Sequence, residues 1–275
     1  MTYRRNIITG EPILFAPERA ARPRAFGDDS NERCPFCPGH ESDTPPTIAA
    51  AGDPWRLRVF PNKYPSVDGA EVIVESPEHD ATFDALPHAE EVVRMYVDRY
   101  RAHDDAAYTA VFKNEGARAG SSIRHVHSQV MPVPFTPPRI ERESAAFGSA
   151  ESCPLCTPRG EIIRESAHFV WLAPYGSSFA YQQWLVPKRH IFEMTMFTDA
   201  ELADLASLLR LVSRATLTLG DSYNWSFLNF PRSPAGHAYI DLVPRLTSIA
   251  GFELGTGTFV EIIDPAAAAR RLRSE

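Results

Sequence analysis

The chain has 275 residues, enough for one large domain or two small ones that each bury a core. Its 44% hydrophobic and 23% charged residues are an ordinary soluble balance, and a net charge of -7 with no lysine or arginine block argues against nucleic acid as a partner, because backbone binding needs a basic face. No run of 18 apolar residues offers a membrane span, and the N-terminal MTYRRNIITGEP lacks the apolar core of a secretory signal, so a cytoplasmic protein is expected.

In chain order, the first marked element is RCPFCPGHE, with Cys34 and Cys37. A CxxC pair in a reducing compartment is a metal half-site or a redox dithiol. A redox dithiol usually opens a helix after a strand. Here prolines follow both cysteines, which suits a metal knuckle. A strand-like run, AEVIVESPEH, then ends at His79. Next comes a helix near LPHAEEVVRMYVDRYRAHD, its apolar side formed by Val92, Val93, Tyr96, Val97 and Tyr100. A β-like YTAVFKN leads through the loop KNEGARAGSSI into HVHSQVMPVP, which starts at His125. The stretch PVPFTPPRIERESAAFGSA reads as an extended connector with solvated charges.

The remaining chain runs through similar elements. SCPLCTPRG carries Cys153 and Cys156, and YQQWLVPKRH ends at His190. The helix TDAELADLASLLRLVSRATLTLG has Thr198 or Asp199 as N-cap and Gly220 just past its end. A β-like NWSFLNF precedes HAYIDLVPRL, which starts at His237, and DPAAAARRLRSE is a short helix capped by Asp264. His88, His103 and His168 have no counterpart in the other half and read as surface or helix-face residues. Trp55, Trp171, Trp184 and Trp225 read as core.

The spacing shows an internal repeat. His79 and His125 are 46 residues apart, and His190 and His237 are 47 apart. Both halves read CxxC, strand, histidine, helix, strand, histidine-strand, for which an internal duplication is the economical account. Two Cys₂His₂ zinc sites follow, structural and two per chain: Cys34, Cys37, His79 and His125, then Cys153, Cys156, His190 and His237. His40 is a rival ligand in the first half. It has no counterpart in the second, so His79 is preferred.

Period-two spacing puts His125, His127 and Gln129 on one face of a strand, where the second half has His237, Tyr239 and Asp241. If His125 and His237 are the equivalent ligands, His127 is surplus to the metal. A neutral imidazole is a competent nucleophile toward phosphorus. Gln129 can donate an amide N–H to a phosphate oxygen, and Gly116, Gly120, Ser121 and Ser122 can supply N–H and O–H groups just upstream.

On these residues the sequence resembles the galactose-1-phosphate uridylyltransferase family of the histidine-triad superfamily. The resemblance is carried by WRLRVFPNKYPSV, VIVESPEHD, VFKNEGARAGSSIRHVHSQVMPVP, WLVPKRH, HAYIDLVPRLTSIAGFELGTG and DPAAAARRLR, together with the first CxxC. It implies an α+β fold of two fused histidine-triad-like halves, residues 1–150 and 151–275, each an antiparallel sheet with helices. It also implies ping-pong chemistry. His127 attacks the α-phosphorus of a nucleotide sugar, a sugar 1-phosphate leaves, and a second phosphate-bearing acceptor takes the nucleotide. Gln129 and Ser122 match family residues that hold phosphates, and Ser121 stands beside them. Asn62 and Tyr64 match contacts to base and ribose, and Asn114 matches a further nucleotide contact. The metal pattern is most like the two-zinc branch that includes ADP-glucose phosphorylase. A homodimer is expected on the same ground. Two departures are visible. Val126 stands between the histidines where proline is common, and GFELGTG replaces the usual substrate-contacting run, so Phe252, Glu253 and Gly255 are the candidate sugar-phosphate contacts.

Three functions are therefore in view. The first is transfer of a nucleoside monophosphate from an NDP-sugar to a sugar 1-phosphate or inorganic phosphate. The second is hydrolysis or phosphorolysis of dinucleoside polyphosphates or NDP-sugars. The third is zinc-stabilised nucleotide binding without turnover.

Overall fold

A computed structural model describes residues 3–17 and 34–274. A small hairpin pairs β1 (Tyr3–Arg5) with β2 (Pro12–Leu14). The main sheet has ten strands, all paired antiparallel. They are β3 (Ala49–Ala51), β4 (Leu57–Pro61), β5 (Glu71–Val74), β6 (Tyr108–Glu115), β7 (His127–Val133), β8 (Gly160–Glu165), β9 (Phe169–Pro174), β10 (Gln183–Pro187), β11 (Tyr223–Leu228) and β12 (Tyr239–Pro244). The central pair is β6 and β11. Outward from it the sheet runs β7, β5, β4, β3 on one side and β12, β10, β9, β8 on the other. The fold is α+β, a large antiparallel sheet with flanking helices.

Residues directly opposite one another in a sheet share a face, and the register assigns each side chain to one of two. One face carries Leu57, Val59, Ile73, Val111, Val130, Trp225, Phe227, Ile240 and Leu242, all buried. It is covered by α1 (Ala89–Arg101), α3 (Asp199–Leu217) and α5 (Pro265–Arg273). The helices turn their apolar stripes inward. Val92, Val93, Tyr96, Val97 and Tyr100 of α1 are all buried, as the sequence spacing requires. α1 packs on α3, and α5 packs on β8 and β9. The opposite face carries His127 and Gln129 and is covered by shorter pieces: the Cys34–Cys37 knuckle over one half, and α2 (Pro138–Ser149) with Leu155 over the other.

Several boundaries differ from the sequence reading. The stretch read as an extended connector folds into α2, whose Ile140 and Phe147 are buried against the sheet. Proline at its first position fits a helix start, and its two apolar residues seven apart supply the packing stripe. α3 is capped by Thr198, with Glu201 completing a reciprocal capping box, but it ends at Leu217, before Gly220. α5 is capped by Asp264, whose Oδ1 accepts from Ala266 N at 2.9 Å. Among the described residues no helix is long and apolar enough to cross a membrane.

Candidate active site and metal centres

The structure gathers the eight expected ligands into two groups, each with its four donor atoms within 4.8 Å of one another. In the first, His125 Nδ1 lies 3.6 Å from Cys34 Sγ and 3.7 Å from Cys37 Sγ, and His79 Nδ1 lies 3.4 Å from Cys37 Sγ. In the second, the matching separations are 3.4 Å (His237 to Cys153), 3.7 Å (His237 to Cys156) and 3.4 Å (His190 to Cys156). A tetrahedral zinc with Zn–S near 2.3 Å and Zn–N near 2.0 Å places sulfur and nitrogen roughly 3.5 Å apart, so the donor sets fit that ion. The outer contacts agree. His125 Nε2–H donates to Ser76 O at 2.7 Å, His237 Nε2–H to Pro187 O at 2.9 Å, and His190 Nε2–H to Pro234 O at 3.1 Å. Each ring is thereby held with Nδ1 as the lone-pair nitrogen. Burial pushes His237 down to about 4 and holds His125 below the usual histidine range, so both rings favour the neutral form that a metal would need. His40 lies outside the first group; its Nδ1 bonds to Cys34 O at 2.7 Å and braces the knuckle.

His127 is buried beside this group and is not part of it. Its Nδ1–H donates to the carbonyl of His125 at 2.7 Å, which leaves the lone pair on Nε2. Phe36, from the middle of the CxxC turn, sets its ring edge-on to His127, centroids 5.3 Å apart, and touches His125 on the same side. The first metal group thus fixes both the main-chain acceptor and one wall of the His127 ring. Gln129 follows on the same face, with Phe112 of β6 opposite it. Lys113 pairs with Ser128 in that register, which sets Asn114 beside His127.

The loop before β7 is shaped by two glycines. Gly116 (φ 82°) and Gly120 (φ 83°) flank a 3-10 turn over Ala117–Ala119, and both conformations favour glycine. Ser121 and Ser122 follow, buried at its edge, and Ser121 Oγ donates to Ile123 O at 2.7 Å. Asn62 directly follows β4, and its Oδ1 accepts from Tyr64 N at 2.9 Å, an Asx turn that fixes the loop bearing Tyr64. Phe252, Glu253 and Gly255 lie on the short helix α4 (Gly251–Thr256). Phe252 is exposed, and the Glu253 carboxylate accepts from Ala250 N at 3.2 Å.

Sequence reasoning missed several supports. Lys113 is fully buried behind β7, where its Nζ donates to Glu75 Oε2 at 2.7 Å and to His127 O at 3.1 Å. The signal was a lysine sharing its strand face with Val111. His103 is paired with the buried Glu71 at 2.9 Å, alongside Arg99, and is no simple surface residue. His88 Nε2–H donates to Glu75 O at 2.7 Å. In the second half, β12 has Tyr239 and Asp241 at the offsets from His237 that His127 and Gln129 keep from His125. Both are engaged by α2: Arg139 donates to Asp241 at 2.8 Å and to the Tyr239 hydroxyl at 3.0 Å, and Tyr239 donates to Glu143 at 3.0 Å. Gln182 and Trp184 also donate to Asp241, at 2.7 and 3.2 Å. The arginine and glutamate read as solvated are therefore partly exposed members of a network whose other ends, Tyr239 and Asp241, are buried.

Comparison with known proteins agrees with this architecture. The family profile described as "Galactose-1-phosphate uridyl transferase, N-terminal domain" matches residues 62–137, which include Asn62, Asn114, the glycine loop, His125, His127 and Gln129. The ADP-glucose phosphorylase of Arabidopsis thaliana is 29% identical over 98% of this chain and 92% of its own. The galactose-1-phosphate uridylyltransferase of Thermotoga maritima is 28% identical over 99% and 98%. Among solved structures, an Arabidopsis thaliana ADP-glucose phosphorylase with bound ADP-glucose superposes with a TM-score of 0.82 at 28% identity, covering 100% of this chain and 98% of that one. A uridylyltransferase structure gives 0.85 at 26%, with the same coverage. With the sheet, the two cysteine–histidine groups and the His-x-His-x-Gln strand all in place, the chain is similar over nearly its whole length to proteins of the galactose-1-phosphate uridylyltransferase family.

Proposed function

We propose that this enzyme moves a nucleoside monophosphate from a nucleoside diphosphate sugar to a phosphate-bearing acceptor, through a covalent intermediate on His127. One observation carries the reading. His125 is turned into the thiol cluster, while His127 donates from Nδ1 to the His125 carbonyl and keeps its lone pair on Nε2. An imidazole in that tautomer is ready to attack phosphorus.

His127 Nε2 attacks the α-phosphorus. The bond from that phosphorus to the bridging oxygen breaks, and the oxygen leaves with the β-phosphate and sugar as a sugar 1-phosphate. The ring now carries a positive charge, and its Nδ1–H continues to donate to the His125 carbonyl, which stabilises it. A phosphate oxygen of the acceptor then attacks the same phosphorus. The phosphorus–nitrogen bond breaks and its electron pair returns to Nε2. Catalysis of this kind rests on positioning and on donors aimed at the phosphoryl oxygens. Gln129, Asn114, Ser121 and Ser122 take that role, Asn62 and Tyr64 hold the nucleoside, and Phe252, Glu253 and Gly255 face the sugar phosphate. Zinc in the two Cys₂His₂ groups supplies rigid cross-links between distant segments.

Residues 1–150 and 151–275 are two copies of one unit in this reading, supported by the mirrored strand order about β6 and β11 and by the matched ligand spacing. Only the first copy keeps a nucleophile; the second has Tyr239 in its place. The named activities of the two relatives leave inorganic phosphate and a sugar 1-phosphate as the candidate acceptors.

Mass spectrometry after mixing with ADP-glucose, UDP-glucose or a GDP-sugar tests the proposal. One donor should add a single nucleoside monophosphate to the parent chain and nothing to His127→Ala. Phosphate or a hexose 1-phosphate should then discharge the adduct. Discharge only to water would make the protein a hydrolase. Nucleotide binding with neither adduct nor product from any donor would end the catalytic reading.

A further inference from the structure

Asn224 lies on β11, opposite Asn114 of β6 in the central strand pair, 110 residues away in sequence. Its side-chain amide donates to Asn114 Oδ1 at 2.7 Å and to the main-chain carbonyl of Ala119 at 2.9 Å. The polarity of this chain of bonds is fixed from one end. A carbonyl oxygen can only accept, so the Asn224 group facing Ala119 is its NH₂. That same NH₂ faces Asn114, which must therefore present its oxygen. The Asn114 NH₂ is then turned away from β11, on the face that carries His127 and Gln129.

The second bond acts on the glycine loop. Ala119 closes the 3-10 turn between Gly116 and Gly120, directly ahead of Ser121 and Ser122. The start of β11 also presses on this loop. A Cβ at Gly116 would meet Ser222 Oγ at 2.2 Å and Asp221 O at 2.4 Å, which no side chain survives. Residues 221–224 thus form a seat for the loop, and the Asn224 side-chain amide tethers both Asn114 and Ala119 to it.

We infer that Asn224 is a positioning residue, resting on the nucleotidyl-transfer reading above: it orients the Asn114 amide and the Gly116–Ser122 loop so that both present donors to the phosphates of a nucleoside diphosphate sugar. The second half of the chain, which has no nucleophile of its own, completes the phosphate cradle of the first. A phosphate oxygen accepts hydrogen bonds and repels a carbonyl oxygen, so the orientation of one amide decides between attraction and repulsion.

The test is Asn224→Asp, which keeps the size and removes both donors. Asn114 must then turn its NH₂ toward β11 and its oxygen toward the phosphates. Binding of ADP and UDP, measured by calorimetry, should weaken on the order of ten- to a hundredfold, as expected for charge-assisted hydrogen bonds lost or reversed. The donor kcat/KM should fall in parallel while the melting temperature changes little. In a double-mutant cycle with Asn114→Ala, the combined loss should fall at least about threefold short of the product of the two single losses, because the Asn114 amide is one of the two groups that Asn224 orients. Asn224→Ala brings in no charge and carries the same cycle if the aspartate variant does not fold. Binding within twofold of the parent, or losses that multiply across the cycle, would overturn the inference. A parent that binds ADP or UDP but forms no adduct would end the transfer reading and leave this cycle readable. A parent that binds neither would end both.

Discussion

Lys113 and Glu75 meet at 2.7 Å beneath the strand that carries His127, and neither side chain has any exposure to solvent. Lys113 also donates to the His127 carbonyl, and Glu75 accepts from Tyr96 and Ser128. Burial, and then the Glu75 charge, push the Tyr96 hydroxyl well above its usual range, so it stays a donor. Breaking such a pair leaves an uncompensated buried charge. Lys113→Met should lose about 3–5 kcal/mol of stability, read from urea unfolding at pH 7. Lys113→Met with Glu75→Gln should recover part of that loss. A double variant no better than the sum of the singles would show that the pair is not the source.

Elemental analysis should find about two zinc ions per chain, as two four-ligand groups require. Cys153→Ser should lose one of them and lower the melting temperature far more than it lowers the rate of His127 labelling. His127→Ala should keep both ions and the fold. Protein prepared without chelators that holds no metal would remove the structural role assigned to both groups.

Arg139 joins α2 to the second half through Asp241, whose side chain is 4% exposed. The Asp241 and Glu143 carboxylates beside the half-exposed guanidinium outweigh its partial desolvation and hold it charged. Arg139→Leu should cost about 3 kcal/mol, because Asp241 then keeps only Gln182 and Trp184 as neutral donors. Asp241→Asn in the same chain should restore much of it. Labelling of His127 should persist, since this network lies on β12 and not on β7. An Arg139→Leu variant as stable as the parent by chemical unfolding would refute the role.

Glu201 gives a pH dependence. Its carboxylate accepts two bonds from Arg189, at 2.9 and 2.7 Å, and closes the α3 capping box, which lowers it to about 2. A folded value below the unfolded one means the stabilisation is fully present above about pH 4.5 and is lost as pH falls toward 2. Arg189 is half exposed, so the contribution is about 1–2 kcal/mol after solvent screening. Glu201→Gln should lower the melting temperature by a few degrees at pH 7, and the gap to the parent should narrow between pH 4.5 and 2. A gap constant with pH would assign the effect to the cap alone.

Much of this protein is legible in the chain. The apolar stripe of α1, the Thr198 cap with Glu201 three residues later, and the Asp264 cap are local patterns, and local patterns survive translation into structure. The two cysteine–histidine groups were also legible, because the matched spacing in the two halves spelled the pattern twice and singled out His79 over His40. His127, as the histidine left over, followed from the same comparison. The α2 helix was obscured by four prolines, Pro132, Pro134 and Pro137 before it and Pro138 at its first position, which read as a connector.

The sequence by itself determined most of the element types, the eight side chains that gather into the two cysteine–histidine groups and the histidine left outside them, because each depends on periodicity or matched spacing along the chain. Only the tertiary structure decided that Lys113 pairs with Glu75, that Arg139 fills the Tyr239–Asp241 end of the second half, and that Asn224 reaches Asn114. Those contacts join residues 38 to 110 positions apart. They depend on the register between strands brought together by the fold, and nothing local in the chain encodes that register.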